Sequence, residues 1–143
     1  MRKEIIDAVR DDLATVTTEN GYTHTIEKIH KKLLNQKDVR DFPSVYVQAF
    51  PGKGVNRGDH YFWTFPLGIF LYLQVPRDVD AEGLLEKISE EVIEDQLVLW
   101  NNYGNLAALP GIDSIEITTI EPYIDTDQRQ GIVFFTLKVE YIN

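Results

Sequence analysis

Residues 61–75 read YFWTFPLGIFLYLQV, and this stretch decides the fold. A large apolar residue occupies every odd position from Trp63 to Val75, whereas the even positions are mixed. A period of two over this length predicts one long β-strand with a continuous apolar face. The even face also carries aromatic side chains, including Phe70 and Tyr72. The sequence therefore predicts a sheet that packs on helices on one side and on something else, such as another protein chain, on the other.

The surroundings of this strand contain turn-forming residues. Within the strand, Pro66 and Gly68 predict a bulge or an edge position, because proline lacks an N–H donor and glycine has no side chain to pack. The preceding segment, PGKGVNRGDH at 51–60, has three glycines and one proline and is predicted to be an exposed loop.

Two amphipathic helices are predicted, one on either side of this region. In residues 3–16, Ile5, Val9 and Leu13 recur at a spacing of four. A second helix is predicted over about 81–99, with Asp78 or Asp80 as its N-cap and an ending near Asn101, Asn102 and Gly104. Its buried stripe is Leu84, Leu85, Ile88, Val92 and Leu97, and its acidic outer face is Glu82, Glu86, Glu90, Glu91, Glu94 and Asp95.

The remaining segments predict further strands. Residues 22–34 also fit a helical stripe, but the β-branched residues favour a strand over about 22–29. The other predicted strands are 44–50, 115–119 and 133–141, with a loop at 35–41 and a connecting loop within 121–131. The order α-β-β-β-α-β-β predicts a two-layer α+β fold, with a mostly antiparallel sheet and both helices on one face. We expect residues 1–143 to form a single domain.

Composition limits the classes of function. The chain has no cysteine, so disulfides and thiol chemistry are excluded, and no apolar run is long enough to span a bilayer. The charged N-terminus predicts no signal peptide. The net charge is −9, with 10 Lys/Arg and 9 Asp/Glu in residues 1–60 but 4 and 14 in residues 61–143. This balance disfavours wrapping of DNA, and it predicts either a solubilising surface or two unlike faces suited to head-to-tail contact between copies.

The histidines do not predict a metal or catalytic site. On one strand His24 and His30 would be about 20 Å apart, too far to share an ion. The adjacent Asp59 and His60 lack a recognisable third ligand or nucleophile, so a surface pair is the simpler interpretation.

Other candidate motifs are equally weak. Asp125 and Asp127 make a divalent-cation site conceivable, although a polar turn is the ordinary interpretation. Lys53 and Arg57 lie among glycines without the spacing of a phosphate-binding loop. We therefore predict a protein that is not an enzyme and has no catalytic, cofactor or metal site.

The order of elements carries more information than any motif. A leading amphipathic helix is followed by a strand near Gly21 and Tyr22, then by Phe-Pro-Ser-Val-Tyr-Val at 42–47 and a glycine-rich loop. A long strand, an acidic helix from about Asp80 and a last strand ending in Val-Glu-Tyr at 139–141 complete the chain. This layout resembles the tail terminator (tail completion) proteins of long-tailed bacteriophages over nearly all 143 residues.

The resemblance implies a structural function without chemistry or cofactors. Such proteins form a hexameric ring that caps the finished tail tube, stops its polymerisation and joins it to the head-side connector. Implied partners are other copies of the chain, the tail tube protein, the connector or neck protein and, in contractile tails, the sheath protein. The implied location is the tail or neck of the virion, after assembly in the host cytoplasm, with no membrane contact. DNA would pass through the ring without specific binding, because an acidic interior repels it.

The predicted partner contacts lie in the glycine-rich loop and on the even face of the long strand. They are Lys53, Val55, Arg57, Asp59, His60, Phe70 and Tyr72. In this interpretation Lys53 and Arg57 meet acidic groups on a neighbouring chain or on the tube. The alternatives are another head–tail connector or tail component, a small-ligand-binding α+β module and, last, a hydrolase that uses Asp59 and His60. The ligand-binding alternative places a pocket between Trp63, Phe70, Tyr72 and Trp100.

Overall fold

The protein has the predicted α+β fold, built on a mostly antiparallel sheet of six strands. The computed structural model describes residues 1–75, 80–96, 100, 104–125 and 129–142. The helices whose bounds are described are α1 (Arg2–Leu13), α2 (Ala81–Ser89), which a π-helical segment (Glu90–Asp95) continues, and α3 (Asn105–Ala108). The strands are β1 (Lys28–His30), β2 (Ser44–Ala49), β3 (Lys53–Arg57), β4 (His60–Gln74), β5 (Ile112–Asp125) and β6 (Gln130–Ile142).

The long strand of the sequence, β4, lies at the centre of the sheet. The strand order is β1-β2-β4-β6-β5, and β3 also pairs with β4. On one side β4 pairs with β2 through residues 67–72 and with β3 through residues 60–64. On its other side it pairs with β6 without interruption from Phe62 to Gln74. The pair β1–β2 is parallel and the other pairs are antiparallel.

The odd residues of β4 and β6 form the apolar face that packs against the helices, here called the helix face. Phe65, Leu67 and Ile69 are at most 1% exposed, and the odd β6 residues opposite them are equally buried. The helices contribute Ile5, Val9, Leu13, Leu85, Ile88 and Val92 to the same core. Burial of each such side chain stabilises the fold by roughly 1.5–3 kcal/mol. Because turning β4 over would expose all of its odd residues, the alternation in residues 61–75 determines which face of the sheet packs against the helices.

The sequence predicted a bulge or an edge position at Pro66 and Gly68. The predicted bulge is wrong, but Pro66 does lie at a point where β4 has no ladder partner on one side. The β4–β6 register runs through both residues unbroken. Pro66 lies where pairing with β2 has ended and pairing with β3 has not begun, and its carbonyl accepts a hydrogen bond from Phe50 N at 3.0 Å. The missing N–H of proline would point to the same side, so no ladder hydrogen bond with β6 is lost.

The strand predicted over 22–29 is mostly wrong, since β1 contains only Lys28–His30. The preceding residues use their polar groups in local and long-range contacts instead. Thr18 N donates to Thr25 Oγ1 at 2.9 Å, and Thr23 N donates to Glu91 Oε1 at 3.0 Å. These contacts hold the segment outside the sheet, so tertiary interactions override its β-propensity.

One segment predicted as a loop contains a strand, and a strand predicted to end near residue 119 is longer than expected. Residues 53–57 are β3, which pairs with β4 across a two-residue turn at Gly58 and Asp59. Gly58 has φ +68, as the first central position of a type II′ hairpin turn requires. Residues 121–125 belong to β5, which pairs with β6 as far as Asp125 and Gln130. At β3, pairing with a long apolar strand outweighs the turn-forming composition, whereas the β5–β6 connection still falls within 121–131 as predicted.

The helices also differ from prediction. Helix α1 ends at Leu13 rather than at residue 16, and the short helix α3 was not predicted. Asp80 caps α2 by accepting a hydrogen bond from Glu82 N at 3.2 Å. The alternative cap Asp78, the stripe residue Leu97 and the predicted ending at Asn101 and Asn102 lie outside the described residues.

The π-helical segment changes which side of α2 is buried. Glu91, Val92 and Ile93 are all buried, although they are consecutive in sequence. A regular helix would turn one of the three to solvent, whereas the wider π-turn shifts the register of the buried face. The prediction that Glu91 belongs to the acidic outer face is therefore wrong. Its carboxylate is instead held by Thr23 N and, at 3.3 Å, by His24 Nδ1.

Candidate interaction surfaces

The first candidate surface is the hairpin arm, defined here as residues 53–64. It comprises β3, the turn at Gly58 and Asp59, and the first residues of β4. Among the described residues β3 pairs only with β4, so its outer edge is open, and His60 and Tyr61 extend beyond the end of β6. Most side chains of the arm are exposed. A two-stranded hairpin with one free edge is a common element for binding another chain.

One face of the arm is both basic and apolar. The β3–β4 register places Lys53, Val55 and Arg57 on the same side as His60 and Phe62. Val55 is 48% exposed, and the Arg57 guanidinium lies over the Phe62 ring with its Cζ 5.3 Å from the centroid. The predicted contact residues of the loop are thus brought together, with Asp59 in the turn between them.

The opposite face of the arm is packed internally. The Tyr61 and Trp63 rings lie 5.0 Å apart and cover Gly54. A Cβ atom at Gly54 would collide with the Tyr61 ring, so glycine is required at this position. This packing gives the arm a defined shape.

The second candidate surface is the face of the sheet opposite the helices, here called the second face. Its centre is a patch of partly exposed aromatic rings, Tyr46, Phe50, Phe70 and Phe134. The Phe70 and Phe134 centroids are 4.8 Å apart. Phe50 and Phe134 meet edge to face above Gly68, where a Cβ would approach Phe50 Cε2 to 2.5 Å. Gly68 therefore makes room for the two rings.

The segment between β1 and β2 partly covers the second face. Lys32, Leu34 and Asp38 line a groove together with Phe70 and Tyr72. Tyr72 is only 2% exposed. The pKa of its hydroxyl is raised, mainly by burial and to a smaller extent by the nearby Tyr46. Of the two aromatic contact residues predicted on this face, Tyr72 is covered by its own chain and Phe70 keeps accessible surface.

A buried histidine anchors this cover. His30 Nε2 and Ser44 Oγ are 3.0 Å apart, and the His30 ring meets Tyr72 edge to face. Burial lowers the pKa of His30 below its ordinary value of 6.5; Lys28 adds to the effect and Asp41 opposes it. His30 thus packs as a buried core side chain.

The four aromatic residues of the ligand-binding alternative do not form one pocket. Trp100 is fully buried in the core, and Trp63 borders a small groove beside Arg2 on the helix face. Phe70 and Tyr72 point to the second face, on the other side of the sheet. The predicted pocket is therefore wrong.

A third surface, which we call the acidic groove, was not predicted. It has a volume of about 720 Å³ and lies between α2 with its π-helical segment and the distal half of β5. Its apolar lining is Leu85, Ile93, Ile120, Pro122 and Ile124, and its rim carries Glu82, Glu86, Glu90 and Glu94. The spacing of four between these glutamates was visible in the sequence, but three of the apolar residues belong to the part of β5 beyond the predicted strand 115–119.

The histidine and carboxylate candidates of the sequence are only partly covered by the described residues. Across the described parts of the chain, no three His, Asp or Glu side chains are grouped so that they could hold a metal ion. Asp59 and His60 are both exposed in the turn of the arm. The predicted pair Asp125 and Asp127 is untested, because Asp127 lies outside the described residues. Among the described helices, none has the length and apolar character needed to cross a membrane.

Comparison with known proteins gives a likeness of fold. No protein-family model matches the chain, and no curated protein matches it. Among solved structures, a chain from the "Virion of native gene transfer agent (GTA) particle" superposes with a TM-score of 0.55. The alignment covers 96% of this chain and 93% of that chain at 10% sequence identity. The similarity is therefore one of fold over almost the full length of both chains.

Proposed function

We propose that this chain is a structural protein of a phage-type virion, and that within the virion it is the tail terminator. The observation that carries the proposal is the shared fold, over 96% of this chain, with a chain of a gene transfer agent virion. The sequence layout, which resembles tail terminator proteins, points the same way. In this function the protein forms a ring on the finished tail tube, ends its growth and joins it to the head-side connector.

The hairpin arm supports a role in assembly. It presents Val55, Arg57 and Phe62 on one exposed face, and its outer strand edge is open in the described structure. In a closed ring each subunit uses two different patches, one toward each neighbour. The arm supplies one such patch, and the ring we propose is a hexamer.

The charge of the chain suits the remaining proposed partners. A net charge of −9 disfavours attachment to phosphate, so DNA would pass through the ring without specific binding.

The aromatic patch of the second face is a candidate contact for the tail tube or the connector, with the sheath as a further partner in a contractile tail. No catalytic step, cofactor or membrane is part of this function.

The test is addition of the purified protein to polymerising tail tube protein of the same virus. We expect tubes that stop growing and carry a ring at one end in negative-stain electron micrographs. A control addition of heat-unfolded protein should leave tube growth unchanged. Protein that lies along the tube walls, or that leaves tube growth unchanged, would contradict the terminator role and favour another tail or connector component.

A further inference from the structure

We infer that the acidic groove binds the hairpin arm of a second copy of this chain. The inference rests on the proposed ring and names the pair of surfaces that would close it. The arm is the basic, apolar patch of one subunit, and the groove is the acidic, apolar patch of the next. The contact is heterologous, because two different surfaces meet and the pattern repeats from copy to copy.

The groove has the properties of an unfilled binding surface. Ile120 is 52% exposed at its floor, and the neighbouring Pro122 and Ile124 extend the apolar strip along β5. In the described structure β5 pairs only with β6, so the strand edge beside the groove is open. Exposed aliphatic side chains next to an open strand edge favour occupation by another chain.

The charges around the groove are unpaired within the described residues. Glu82, Glu86, Glu90 and Glu94 are exposed on one side of α2 and its π-helical segment, and none of them forms an ion pair there. Four carboxylates in a row create a negative potential that attracts a basic partner.

The hairpin arm complements this potential and the apolar floor. Lys53 and Arg57 form no ion pair with any described residue, and Val55 lies between them on the same face. The arm thus offers two cations with an exposed aliphatic side chain between them, and the groove offers glutamates along an exposed aliphatic strip. Complementary charge at such a contact sets register and orientation.

The arm cannot reach the groove of its own subunit. Through β6, Ile120 of the groove is in register with Ile69 of β4, whereas the tip of the arm adjoins His60, the first residue of β4. Nine residues of β-strand separate these positions by about 30 Å. The two surfaces also lie toward opposite edges of the sheet. The occupant of the groove is therefore the arm of another copy.

Cysteine cross-linking tests this contact directly, because the chain has no cysteine. Val55→Cys protein is mixed with Ile120→Cys or Glu90→Cys protein under oxidising conditions, which join residues whose Cα atoms come within about 7 Å. We expect covalent dimers in both mixtures. Leu33→Cys is the matched control, since Leu33 is 55% exposed and lies on the second face. If Val55→Cys protein gave no more covalent dimer with Ile120→Cys and with Glu90→Cys than with the Leu33→Cys control, the inference would be overturned.

Charge reversal gives a second measurement. Lys53→Glu/Arg57→Glu and Glu86→Lys/Glu90→Lys should each weaken self-association by on the order of tenfold or more, because each juxtaposes like charges. An equimolar mixture of the two variants should restore association, since each arm then meets a groove of opposite charge. Absence of this rescue would contradict a head-to-tail arm–groove contact.

Failure of this inference can be told apart from failure of the proposed function. If both charge-reversed variants cap tail tubes as well as the unmodified chain, the arm–groove contact is wrong and the terminator role stands. If the unmodified chain cross-links through arm and groove but never stops tube growth, the contact stands and the terminator role is wrong.

Discussion

At the scale of single residues, Asp12 connects the first helix to a distant part of the chain. Its side chain is 1% exposed, and its carboxylate accepts hydrogen bonds from Asn105 N at 2.7 Å and Leu106 N at 3.0 Å. It thereby caps α3, whose own preceding residue, Gly104, has no side chain to do so. A Cβ at Gly104 would come within 2.7 Å of the Asp12 carboxylate.

Replacement of Asp12 should therefore be costly. We expect Asp12→Ala to lower the free energy of unfolding by roughly 1–3 kcal/mol, because buried N–H groups lose their acceptor. Urea unfolding followed by circular dichroism measures this change. Asp11→Ala is the matched control, since Asp11 is an exposed neighbour. Equal effects of the two substitutions would show that the cap contributes nothing.

Gly68 carries the tight packing of the second face. A side chain there meets both Phe50 and Phe134, so Gly68→Ala should destabilise the fold by roughly 1–3 kcal/mol through overpacking. A double variant with Phe50→Ala should recover part of that loss, because the nearer ring is removed. Thermal unfolding of the two single variants and the double variant tests this. If the stability losses of Gly68→Ala and Phe50→Ala simply added in the double variant, a direct clash between the new Cβ and the Phe50 ring would be contradicted.

Glu91 gives the protein a specific sensitivity to acid. Burial alone would raise the pKa of this carboxyl, but hydrogen bonds from Thr23 and His24 outweigh it and lower the pKa below its ordinary value of 4.5. A carboxyl whose pKa is lower in the folded state stabilises the fold above the unfolded-state pKa. That stabilisation is lost as pH falls through the folded-state value.

Unfolding measurements over a pH series test this sign. From pH 7 down to about pH 2.5 the unmodified chain should lose more stability than Glu91→Gln, which cannot titrate at this position. The matched control is Glu90→Gln, because Glu90 is exposed and adjacent in sequence. If Glu91→Gln and the unmodified chain lost stability in parallel, the Thr23 and His24 contacts would not shift the pKa of Glu91.

At the scale of elements, the hairpin arm can be shortened without changing its register. Removal of Val55, Asn56, Tyr61 and Phe62 deletes two facing pairs and keeps the turn at Gly58 and Asp59. Strand alternation is preserved because two residues leave each strand. We expect a folded chain with an unchanged circular dichroism spectrum and with self-association lost. A shortened chain that associates normally, measured by sedimentation velocity, would exclude the arm as a contact.

Element prediction succeeded where an apolar face is continuous and failed where a segment takes its structure from the element it packs against. The alternation in β4 and the apolar spacing in α1 each bury one face, so the sequence specifies them locally. In contrast, β3 has only one strong apolar residue and becomes a strand through its pairing with β4. The π-helical segment likewise depends on the residues that it packs against, and no local sequence pattern predicted the burial of Glu91.

At the scale of the whole molecule, the proposed assembly should depend on salt. The arm and the groove would meet through exposed charges, whose attraction is screened as the Debye length shrinks from about 10 Å at 0.1 M to about 3 Å at 1 M. We expect the unmodified chain to associate more weakly at the higher concentration by analytical ultracentrifugation. Thermal unfolding of the subunit at both concentrations is the control, since its core is apolar. Association that strengthens with salt would point to a purely apolar contact.

The candidate site was partly visible in the sequence. The composition of residues 51–60 marked Lys53, Val55 and Arg57 as a group, and the hairpin places them on one face. The acidic row of the second helix was also visible, but Ile120 and Ile124 could not be assigned to it. Those residues lie about 30 positions away in sequence and meet α2 only because β5 pairs with β6.

The sequence by itself determined that this chain forms a mostly antiparallel sheet with helices on one face. Local periodicity is sufficient for that result, because a strand or helix with one apolar side must turn that side toward the other layer of the fold. Only the tertiary structure decided that Tyr72 is covered, that Glu91 is buried and that an open groove runs beside β5. Each of these depends on segments far apart in sequence, whose contacts form when the sheet brings them together.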